Sequence, residues 1–315
     1  SGHLACQGCG ATQAMRFALK ALGPDTALVI PACCWAVIDG SFPHSCIDLP
    51  IYHTAFETAA VVASGLKAGL EMRGDTKTTV MAWAGDGGTF DIGLQSLSGA
   101  AERNDDFIYV CYDNEAYMNT GIQRSSSTPV GAWTTTTPVT NYKREPKKNM
   151  IDIMAAHSIP YIATASTAYP HDFMRKVAKA NTFRGTKYIQ IFAPCPTGWK
   201  LAPELSVKMA RLAVTSKMYP LLEITENGRK LEVWKDFEPT PLAEYMKAQG
   251  RFRHLGDAEI ARLDALARAH GIPLIIDGAY GTPFPHLLFS QTTAHCNDIT
   301  VVVLSLSELV LPGLR

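Results

Sequence analysis

The sequence lacks the features that mark several large classes of protein. No run of about 18 apolar residues occurs in the 315 residues, so no membrane-spanning helix is predicted. Basic and acidic side chains are equal in number, 29 of each, and the charge gives no reason to expect nucleic acid or an anionic membrane as a partner. The N-terminus has neither the basic nor the apolar part of a secretory signal, and we therefore expect a cytoplasmic protein.

Charged residues and cysteines are also scarce. Asp, Glu, Lys and Arg make up 18% of the chain, below the roughly 25% typical of soluble domains, so partner chains are expected to cover part of the surface. The 8 cysteines are too few and too unevenly placed for a disulfide scaffold in a chain of this length. A Cys-x-x-Cys pair in a cytoplasmic protein more often indicates metal or redox chemistry.

Polar side chains follow two apolar runs near the middle of the chain. The runs, residues 79–84 and 107–112, frame a segment with helical spacing of apolar residues over 90–101. This order predicts a strand, a helix and a second strand. Asp86 follows the first strand and Asn114 follows the second. Because parallel strands joined in this way end at the same edge of a sheet, the two side chains are predicted to converge.

The residues at these strand ends suit a metal ion and a diphosphate. One carboxylate and one amide oxygen form half of an oxygen-rich shell, which Mg²⁺ completes with phosphate oxygens and water. Glycines beside Asp86 allow backbone N–H groups to approach a diphosphate closely. A Gly-rich turn of an ordinary α/β domain is the alternative interpretation. The predicted cofactor-binding residues at the first turn are Gly85, Asp86, Gly87 and Gly88.

A second motif lies at the N-terminus. Cys6 and Cys9 are close enough in sequence to bind the same metal centre, and the glycines beside them leave room for sulfur. Two further ligands would be needed. The candidates are Cys33, Cys34, Cys46, Cys111, Cys195 and Cys296, of which the first two and Cys195 directly follow predicted strands.

Zinc is the alternative metal for four cysteines. Structural zinc usually takes two close Cys-x-x-Cys pairs, whereas the third and fourth ligands here would be single and far apart in sequence, which favours an iron–sulfur cluster. Cys111 and Cys296 are interpreted as small buried apolar residues, and Cys33 and Cys46 are placed with them.

The residues also carry a family resemblance. Gly-Asp-Gly followed by Asn114 resembles the magnesium–diphosphate motif of thiamine-diphosphate enzymes. Residues 113–123, DNEAYMNTGIQ, resemble more narrowly the β subunit of the 2-oxoacid:ferredoxin oxidoreductases. The resemblance extends over residues 1–255 and implies a thiamine-diphosphate-binding α/β fold, with a mostly parallel central sheet and helices on both faces.

The resemblance implies roles for individual residues. Asp86, Asn114 and the carbonyl of Ala116 would bind Mg²⁺. Asn119 would be the catalytic residue beside the diphosphate and thiazolium of thiamine diphosphate, and Phe56 would line the cofactor pocket. The ligands of a [4Fe–4S] cluster would be Cys6, Cys9, Cys34 and Cys195, where the ligand spacing of the family selects Cys34 over Cys33.

The activity implied is oxidative decarboxylation of a small 2-oxo acid, with electrons passed to ferredoxin. The pyruvate and oxalate branch is the nearest, and Leu4, which stands where pyruvate enzymes often have arginine, favours oxalate. Coenzyme A would be used with pyruvate but not with oxalate. An α subunit is expected to supply the glutamate that activates the cofactor, with γ or δ subunits in the same complex. The alternatives are a non-redox thiamine-diphosphate decarboxylase or ligase subunit and a zinc-stabilised assembly subunit.

The remaining segments carry weaker patterns. Residues 41–56 and the Ser/Thr/Pro-rich residues 124–149 are predicted to be surface loops. The basic run in the second loop is interpreted as a solvated face or a docking patch for a partner. Residues 256–315 form a C-terminal extension that resembles a fragment of a valine-pyruvate aminotransferase. Glu308 stands where that family has its cofactor-binding lysine, so the extension is interpreted as structural.

Overall fold

An eight-stranded sheet runs through residues 2–269, the part of the chain that the computed structural model describes. Its strands are β1 (Thr26–Pro31), β2 (Ile51–Thr54), β3 (Thr79–Gly85), β4 (Ile108–Asp113), β5 (Tyr161–Ser166), β6 (Lys187–Phe192), β7 (Leu222–Thr225) and β8 (Lys230–Val233). Their order across the sheet is β2-β1-β3-β4-β6-β5-β7-β8.

Helices connect most of these strands. They are α1 (Gly10–Leu22), α2 (Trp35–Ile38), α3 (Ala59–Met72), α4 (Leu94–Arg103), α5 (Met150–Ala156), α6 (Pro170–Ala180), α7 (Pro196–Trp199), α8 (Ser206–Thr215), α9 (Leu242–Lys247) and α10 (Asp257–Ala269). A π-helical turn, Gly87–Ile92, joins β3 to α4. Within the described range, every helix is too short or too polar to cross a membrane.

The sheet is mostly parallel, as predicted. The first six strands across the sheet, β1 to β6, pair in parallel. The other two, β7 and β8, form an antiparallel hairpin that pairs with β5 at one edge. The hairpin turns at Asn227 and Gly228, both with positive φ, as Asn-Gly turns commonly do. All residues of β4 and β6 are buried, because helices cover both faces of a parallel sheet. Strands in this position therefore tend to have continuous apolar sequences.

Two apolar layers hold the helices against the sheet. On one face, Ala59, Ala60 and Ala63 of α3 pack with Leu97 of α4, and their small side chains allow close approach. On the other face, Met15 of α1 packs with residues of α6. The carboxyl ends of β1, β3, β4 and β6 therefore open at one edge of the sheet, between the two layers.

The prediction of a loop over residues 41–56 was wrong at Ile51–Thr54, which form β2. This strand is short and its side chains are only partly covered, so it has no long apolar run that a sequence pattern could reveal. Its parallel pairing with β1, with Ile30 opposite His53, makes it a strand. Tertiary pairing, and not local propensity, decides its conformation.

The described part of the C-terminal extension packs against the first 255 residues. Ile260 of α10 is buried in the same apolar cluster as Leu242 and Tyr245. The hydroxyl of Tyr142 donates to Glu259 at 3.2 Å. The residues that carry the aminotransferase resemblance, Glu308 among them, and also Cys296 lie outside the described range.

Candidate functional site

Asp86 and Asn114 lie side by side where β3 and β4 end. The backbone N–H of Asn114 donates to Asp86 Oδ1 at 3.3 Å. The terminal amide of Asn114 lies 2.8 Å from the same Oδ1 and 3.0 Å from the carbonyl oxygen of Ala116. All three residues are buried, Asp86 with only 1% of its surface exposed. The three groups assigned to Mg²⁺ from the sequence therefore meet at one point.

The spacing of these atoms fits a small divalent cation. When metal–oxygen distances are about 2.0–2.1 Å, neighbouring oxygens of an octahedral shell lie about 2.9 Å apart. With the Asn114 amide oxygen turned inward, three oxygens face one another and would repel without a cation. Burial, reinforced by the nearby carboxylate of Asp113, raises the pKa of Asp86, so a bound cation would favour its charged form. The donor set suits Mg²⁺.

A cavity of about 230 Å³ opens beside these oxygens. It connects the ends of β1, β3 and β4, and two larger clefts, of about 670 and 690 Å³, contain none of the assigned residues. Cys33 and Cys34 line it, together with the residues assigned to the cofactor, which are Phe56, Gly85, Asp86, Gly87, Gly88, Asn114, Ala116 and Asn119.

Two glycines of the first turn are required by aromatic neighbours. A Cβ on Gly87 would lie 2.3 Å from the ring of Tyr117, and one on Gly88 would lie 3.1 Å from Phe56. The two rings pack edge to face with centroids 5.9 Å apart, and the Tyr117 hydroxyl donates to Asp91 at 2.7 Å. The rings are therefore fixed in place, and the turn can pass beneath them only without side chains.

Cys6, Cys9, Cys34 and Cys195 lie in one region, and Cys34 also lines the cavity. The Gly10 N–H donates to the Pro194 carbonyl at 3.0 Å, which joins the residue after Cys9 to the residue before Cys195. Burial raises the pKa of the Cys195 thiol to about 11, and Cys9 and Cys6 add to the rise. Burial also raises the pKa of Cys34, with contributions from Cys33 and then from Cys195 and Cys9. Cys195 and Cys34 thus each lie within electrostatic range of Cys9.

The four cysteines do not form a ready-made site for a single metal ion. Within residues 2–269, no three His, Cys, Asp or Glu side chains are close enough to share one metal ion. Cys6 is exposed and the other three are partly buried, so this centre would reach the surface at Cys6.

The neighbouring cysteines 33 and 34 have different surroundings. Burial raises the pKa of the Cys33 thiol, and a hydrogen bond with the side chain of Tyr112 opposes that rise. Burial is also the main cause for Cys34, and the neighbouring Cys33 adds to the rise before Cys195 and Cys9 do. The two thiols therefore differ in that a side-chain hydrogen bond with Tyr112 acts on Cys33, whereas Cys34 also has Cys195 and Cys9 as neighbours.

Residues 124–149, called the polar strap below, form a loop, as predicted, but several of their side chains are buried and not solvated. Ser125, Ser127, Lys143 and Lys147 are buried. Four consecutive hydroxyl groups of the strap donate to the two turns that line the cavity. The bonds are Ser125 Oγ to Asp86 Oδ2 (2.5 Å), Ser126 Oγ to Asp91 Oδ1, Ser127 Oγ to Asp113 Oδ1 (2.5 Å) and Thr128 Oγ1 to the Glu115 carbonyl (2.7 Å).

A buried network of charges supports the turn that carries Asn114. Lys147 Nζ lies 2.6 Å from Asp113 Oδ2 and 2.9 Å from Glu115 Oε1, and Arg251 lies 2.6 Å from Glu115 Oε2. Burial opposes the charge on Lys147, but the two carboxylates outweigh it and raise its pKa. Each of the four side chains is at most 2% exposed.

Arg251 connects this network to the backbone of the turn. Its guanidinium lies 4.0 Å above the ring of Trp199, and the Trp199 indole N–H donates to the Asn114 carbonyl at 2.8 Å. Glu115 has a positive φ of 67°, a conformation that a non-glycine residue adopts only when its surroundings fix it. The charged and aromatic contacts thus hold Asn114 and Ala116 in position.

Sequence reasoning missed the strap and the network. One signal was available: Asp113 and Glu115 flank Asn114 at the end of a strand that the apolar pattern predicts to be buried. Two buried carboxylates require buried cations, and the basic run that contains Lys147 could have supplied one. Arg251 lies 136 positions from Glu115 in sequence, and no local pattern indicates that the two side chains pair.

Known proteins with similar sequences belong to one family of enzymes. Residues 34–191 match the family described as thiamine pyrophosphate enzyme, C-terminal TPP binding domain. The chain is 52% identical over 273 residues to ketoisovalerate oxidoreductase subunit VorB of Pyrococcus furiosus, covering 84% of this chain and 88% of that protein. It is 51% identical over 265 residues to pyruvate synthase subunit PorB of Methanothermobacter marburgensis, covering 83% and 92%.

A solved structure shares the fold. The 2-oxoglutarate:ferredoxin oxidoreductase from Magnetococcus marinus superposes with a TM-score of 0.54 at 23% identity, over 66% of this chain and 76% of that one. Together with the α/β architecture described above, it confirms the predicted fold class. The family resemblance predicted from the sequence is confirmed by the relatives at about half identity. This chain belongs to the family of 2-oxoacid:ferredoxin oxidoreductase β subunits, which contain a thiamine pyrophosphate-binding domain.

Proposed function

We propose that this chain binds thiamine diphosphate, Mg²⁺ and a [4Fe–4S] cluster, and that its complex oxidatively decarboxylates a small 2-oxo acid and reduces ferredoxin. One observation carries the proposal. A single cavity of about 230 Å³ reaches from the oxygens of Asp86, Asn114 and Ala116 to the wall formed by Cys33 and Cys34. A cofactor anchored at one end would react within reach of an electron acceptor at the other.

The residues of the cavity would bind and orient the cofactor. Asp86, Asn114 and the Ala116 carbonyl would hold Mg²⁺ against the diphosphate, and the bare turn at Gly87 would let backbone N–H groups approach it. Phe56 and Tyr117 would exclude water from one side, and Asn119 at the cavity mouth would contact the reacting ring. Thiamine diphosphate, when bound, supplies a nucleophilic carbon and an electron sink for the decarboxylation.

The cysteines would hold the first electron acceptor. Thiolates are the ligands that iron–sulfur clusters take, and the donor set here consists of Cys6, Cys9, Cys34 and Cys195. The exposure of Cys6 leaves one side of the centre open to a partner such as ferredoxin. The remaining subunits of the complex would complete the cavity, with the activating glutamate on an α subunit and electron-transfer chains of γ or δ type beside the cysteines.

The relatives narrow the substrate class. Two of them are named for ketoisovalerate and for pyruvate, and we propose that this complex oxidises one of these two acids with coenzyme A as co-substrate. Oxalate, favoured by Leu4 in the sequence, stays a prediction, and it differs from the other two acids in needing no coenzyme A. Cytoplasmic localisation stays a prediction as well.

The test is turnover by the purified complex under anaerobic conditions. Viologen reduction should follow addition of pyruvate or ketoisovalerate with coenzyme A, and dialysis against a chelator should abolish it until Mg²⁺ and thiamine diphosphate are returned. Reduction by oxalate without coenzyme A would instead establish the oxalate activity.

Two results would contradict the proposed chemistry. A complex that releases CO₂ from a 2-oxo acid but contains no iron, and reduces no viologen, would be the non-redox decarboxylase or ligase. A complex with four thiols occupied by zinc and no affinity for thiamine diphosphate would be the assembly subunit. Metal analysis of the same preparation separates these outcomes from each other and from the oxidoreductase.

Replacing Gly87 with alanine should weaken thiamine diphosphate binding about tenfold or more. The new Cβ would lie 2.3 Å from the Tyr117 ring, and relieving such overpacking costs about 1–3 kcal/mol. Titration calorimetry with Mg²⁺ present measures the loss. Gly65→Ala is the control, because a Cβ there meets no atom within 4 Å and alanine should stabilise α3 by about 0.5–1 kcal/mol. Equal cofactor affinity in the two variants would contradict the role of Gly87.

A further inference from the structure

The two oxygens of the Asp86 carboxylate have different neighbours. Oδ1 accepts the Asn114 N–H at 3.3 Å and lies 2.8 Å from the Asn114 amide, so it faces the point where the three oxygens meet. Oδ2 instead accepts a hydrogen bond from Ser125 Oγ at 2.5 Å. One oxygen of the carboxylate therefore faces the other two candidate ligands, and the other is bonded to the strap.

Ser125 is itself held firmly. Its side chain is buried, with 1% of the residue exposed, and its N–H donates to Thr128 Oγ1 at 3.0 Å. The Ser127 N–H donates to Ser125 Oγ at 3.2 Å, which leaves the hydroxyl proton directed at Asp86. A backbone bond of 2.9 Å from Lys148 N–H to the Ser126 carbonyl closes the strap behind it. The hydroxyl cannot turn away without breaking these contacts.

Cations differ in how many oxygens they take from a carboxylate. Mg²⁺ requires a near-ideal octahedron and is bound through single oxygens, whereas Ca²⁺ accepts 6–8 ligands and often takes both oxygens of one carboxylate. A carboxylate with one oxygen held by a hydroxyl is better suited to binding through its other oxygen alone, as Mg²⁺ requires, than to binding through both. A hydrogen bond that reaches a metal ligand from behind commonly sets its orientation in this way.

We propose that Ser125 is a positioning residue that restricts Asp86 to one-oxygen coordination and thereby makes the diphosphate site select Mg²⁺ over Ca²⁺. The inference rests on the proposed magnesium–diphosphate site and adds a determinant of its metal specificity. Ser125 lies in the polar strap, 39 positions from Asp86, and does not itself face the cation.

The experiment measures cofactor binding and not turnover. The purified complex is stripped of metal, and thiamine diphosphate binding is followed by calorimetry while Mg²⁺ or Ca²⁺ is titrated. The ratio of the two half-saturating cation concentrations should favour Mg²⁺ in the native protein. Ser125→Ala should shrink that preference about tenfold, the effect expected for loss of one partner of a metal ligand, chiefly through tighter Ca²⁺ binding. Ser125→Thr, which keeps the hydroxyl, should restore it.

Ser64→Ala is the matched control. Its hydroxyl donates to the Ala60 carbonyl at 3.0 Å within α3 and does not approach Asp86, so the cation ratio should be native. If Ser125→Ala does not fold, as judged by circular dichroism, Ser125→Cys replaces it, because a thiol of similar size is a weak donor and should shift the ratio in the same direction.

Three results would overturn the inference. The first is an unchanged ratio in Ser125→Ala, and the second is an equal loss of affinity for both cations, which would make the serine a general support of the site. The third is a shift in Ser125→Thr as large as in the alanine variant. If the native complex binds no thiamine diphosphate with either cation, the proposed cofactor site fails, and the selectivity inference fails with it.

Discussion

Replacing Cys34 with serine should remove most of the iron from the purified complex and abolish viologen reduction, whereas replacing Cys33 should leave the iron in place. The ligand spacing of the family assigns Cys34 to the cluster, and a serine cannot replace a thiolate as a strong ligand of the cluster. The same spacing leaves Cys33 outside the ligand set. Iron and acid-labile sulfide assays on anaerobically purified protein measure the difference, and the electron paramagnetic resonance signal of the reduced cluster provides a second readout.

Cys33 and Cys34 are adjacent in sequence, so each variant serves as a control for the other. Both cysteines are partly buried and both form the wall of the same cavity, so a general effect of mutation on folding should appear equally in the two variants. Loss of iron in Cys33→Ser with full iron in Cys34→Ser would exchange their roles. Full iron in both would mean that neither binds the cluster, and the assignment of the third ligand would be wrong.

Replacing Lys147 with methionine should lower the free energy of unfolding by about 3–5 kcal/mol, because it leaves a buried charge without its partner. Asp113 would keep only neutral donors, which are Ser127 Oγ at 2.5 Å, Gln190 Nε2 at 2.8 Å and the backbone N–H of Glu115 at 3.2 Å. Glu115 would still have Arg251. Urea unfolding of the cofactor-free protein, followed by circular dichroism, gives the change as a shift of the midpoint at constant slope.

Lys148→Met is the matched control for this effect. The Lys148 side chain is 33% exposed and lies 3.7 Å from Asp91, so its ion pair is partly in solvent and its loss should change stability by less than about 1 kcal/mol. Similar destabilisation by the two substitutions would show that the buried network contributes no more to the free energy of unfolding than a partly exposed ion pair does. A stable Lys147→Met protein with a raised pKa for Asp113 would indicate that the carboxyl accepts a proton in place of the ion pair.

The strand ends were predictable because each leaves a local trace. An apolar run that stops at glycine and a charged or amide side chain marks the carboxyl end of a buried parallel strand. Asp86 and Asn114 both stand at such ends, and β3 and β4 are neighbours in the sheet with Gly85 opposite Tyr112. The parallel order of the strands then brings the two side chains together without further information.

The polar strap was not predictable in the same way. Its Ser, Thr and Pro content is typical of solvated loops. A hydroxyl group can bond to water or to a buried carboxylate, and the composition of the segment does not indicate which of the two it does. What buries Ser125, Ser127 and Lys147 is the presence of unpaired carboxylates beneath them, at Asp86 and Asp113. Those carboxylates need partners only after the sheet has removed them from water.

The sequence by itself determined the parallel α/β fold, the family, and the residues that stand at the strand ends around the cavity, because apolar periodicity and motif spacing are written along the chain. Only the tertiary structure decided that Ser125 bonds to one oxygen of Asp86, and that Lys147 and Arg251 neutralise the acids behind Asn114. These contacts join segments that are far apart in sequence. The energy of a buried charge or hydrogen bond depends on the groups around it, and those groups come together only when the chain folds.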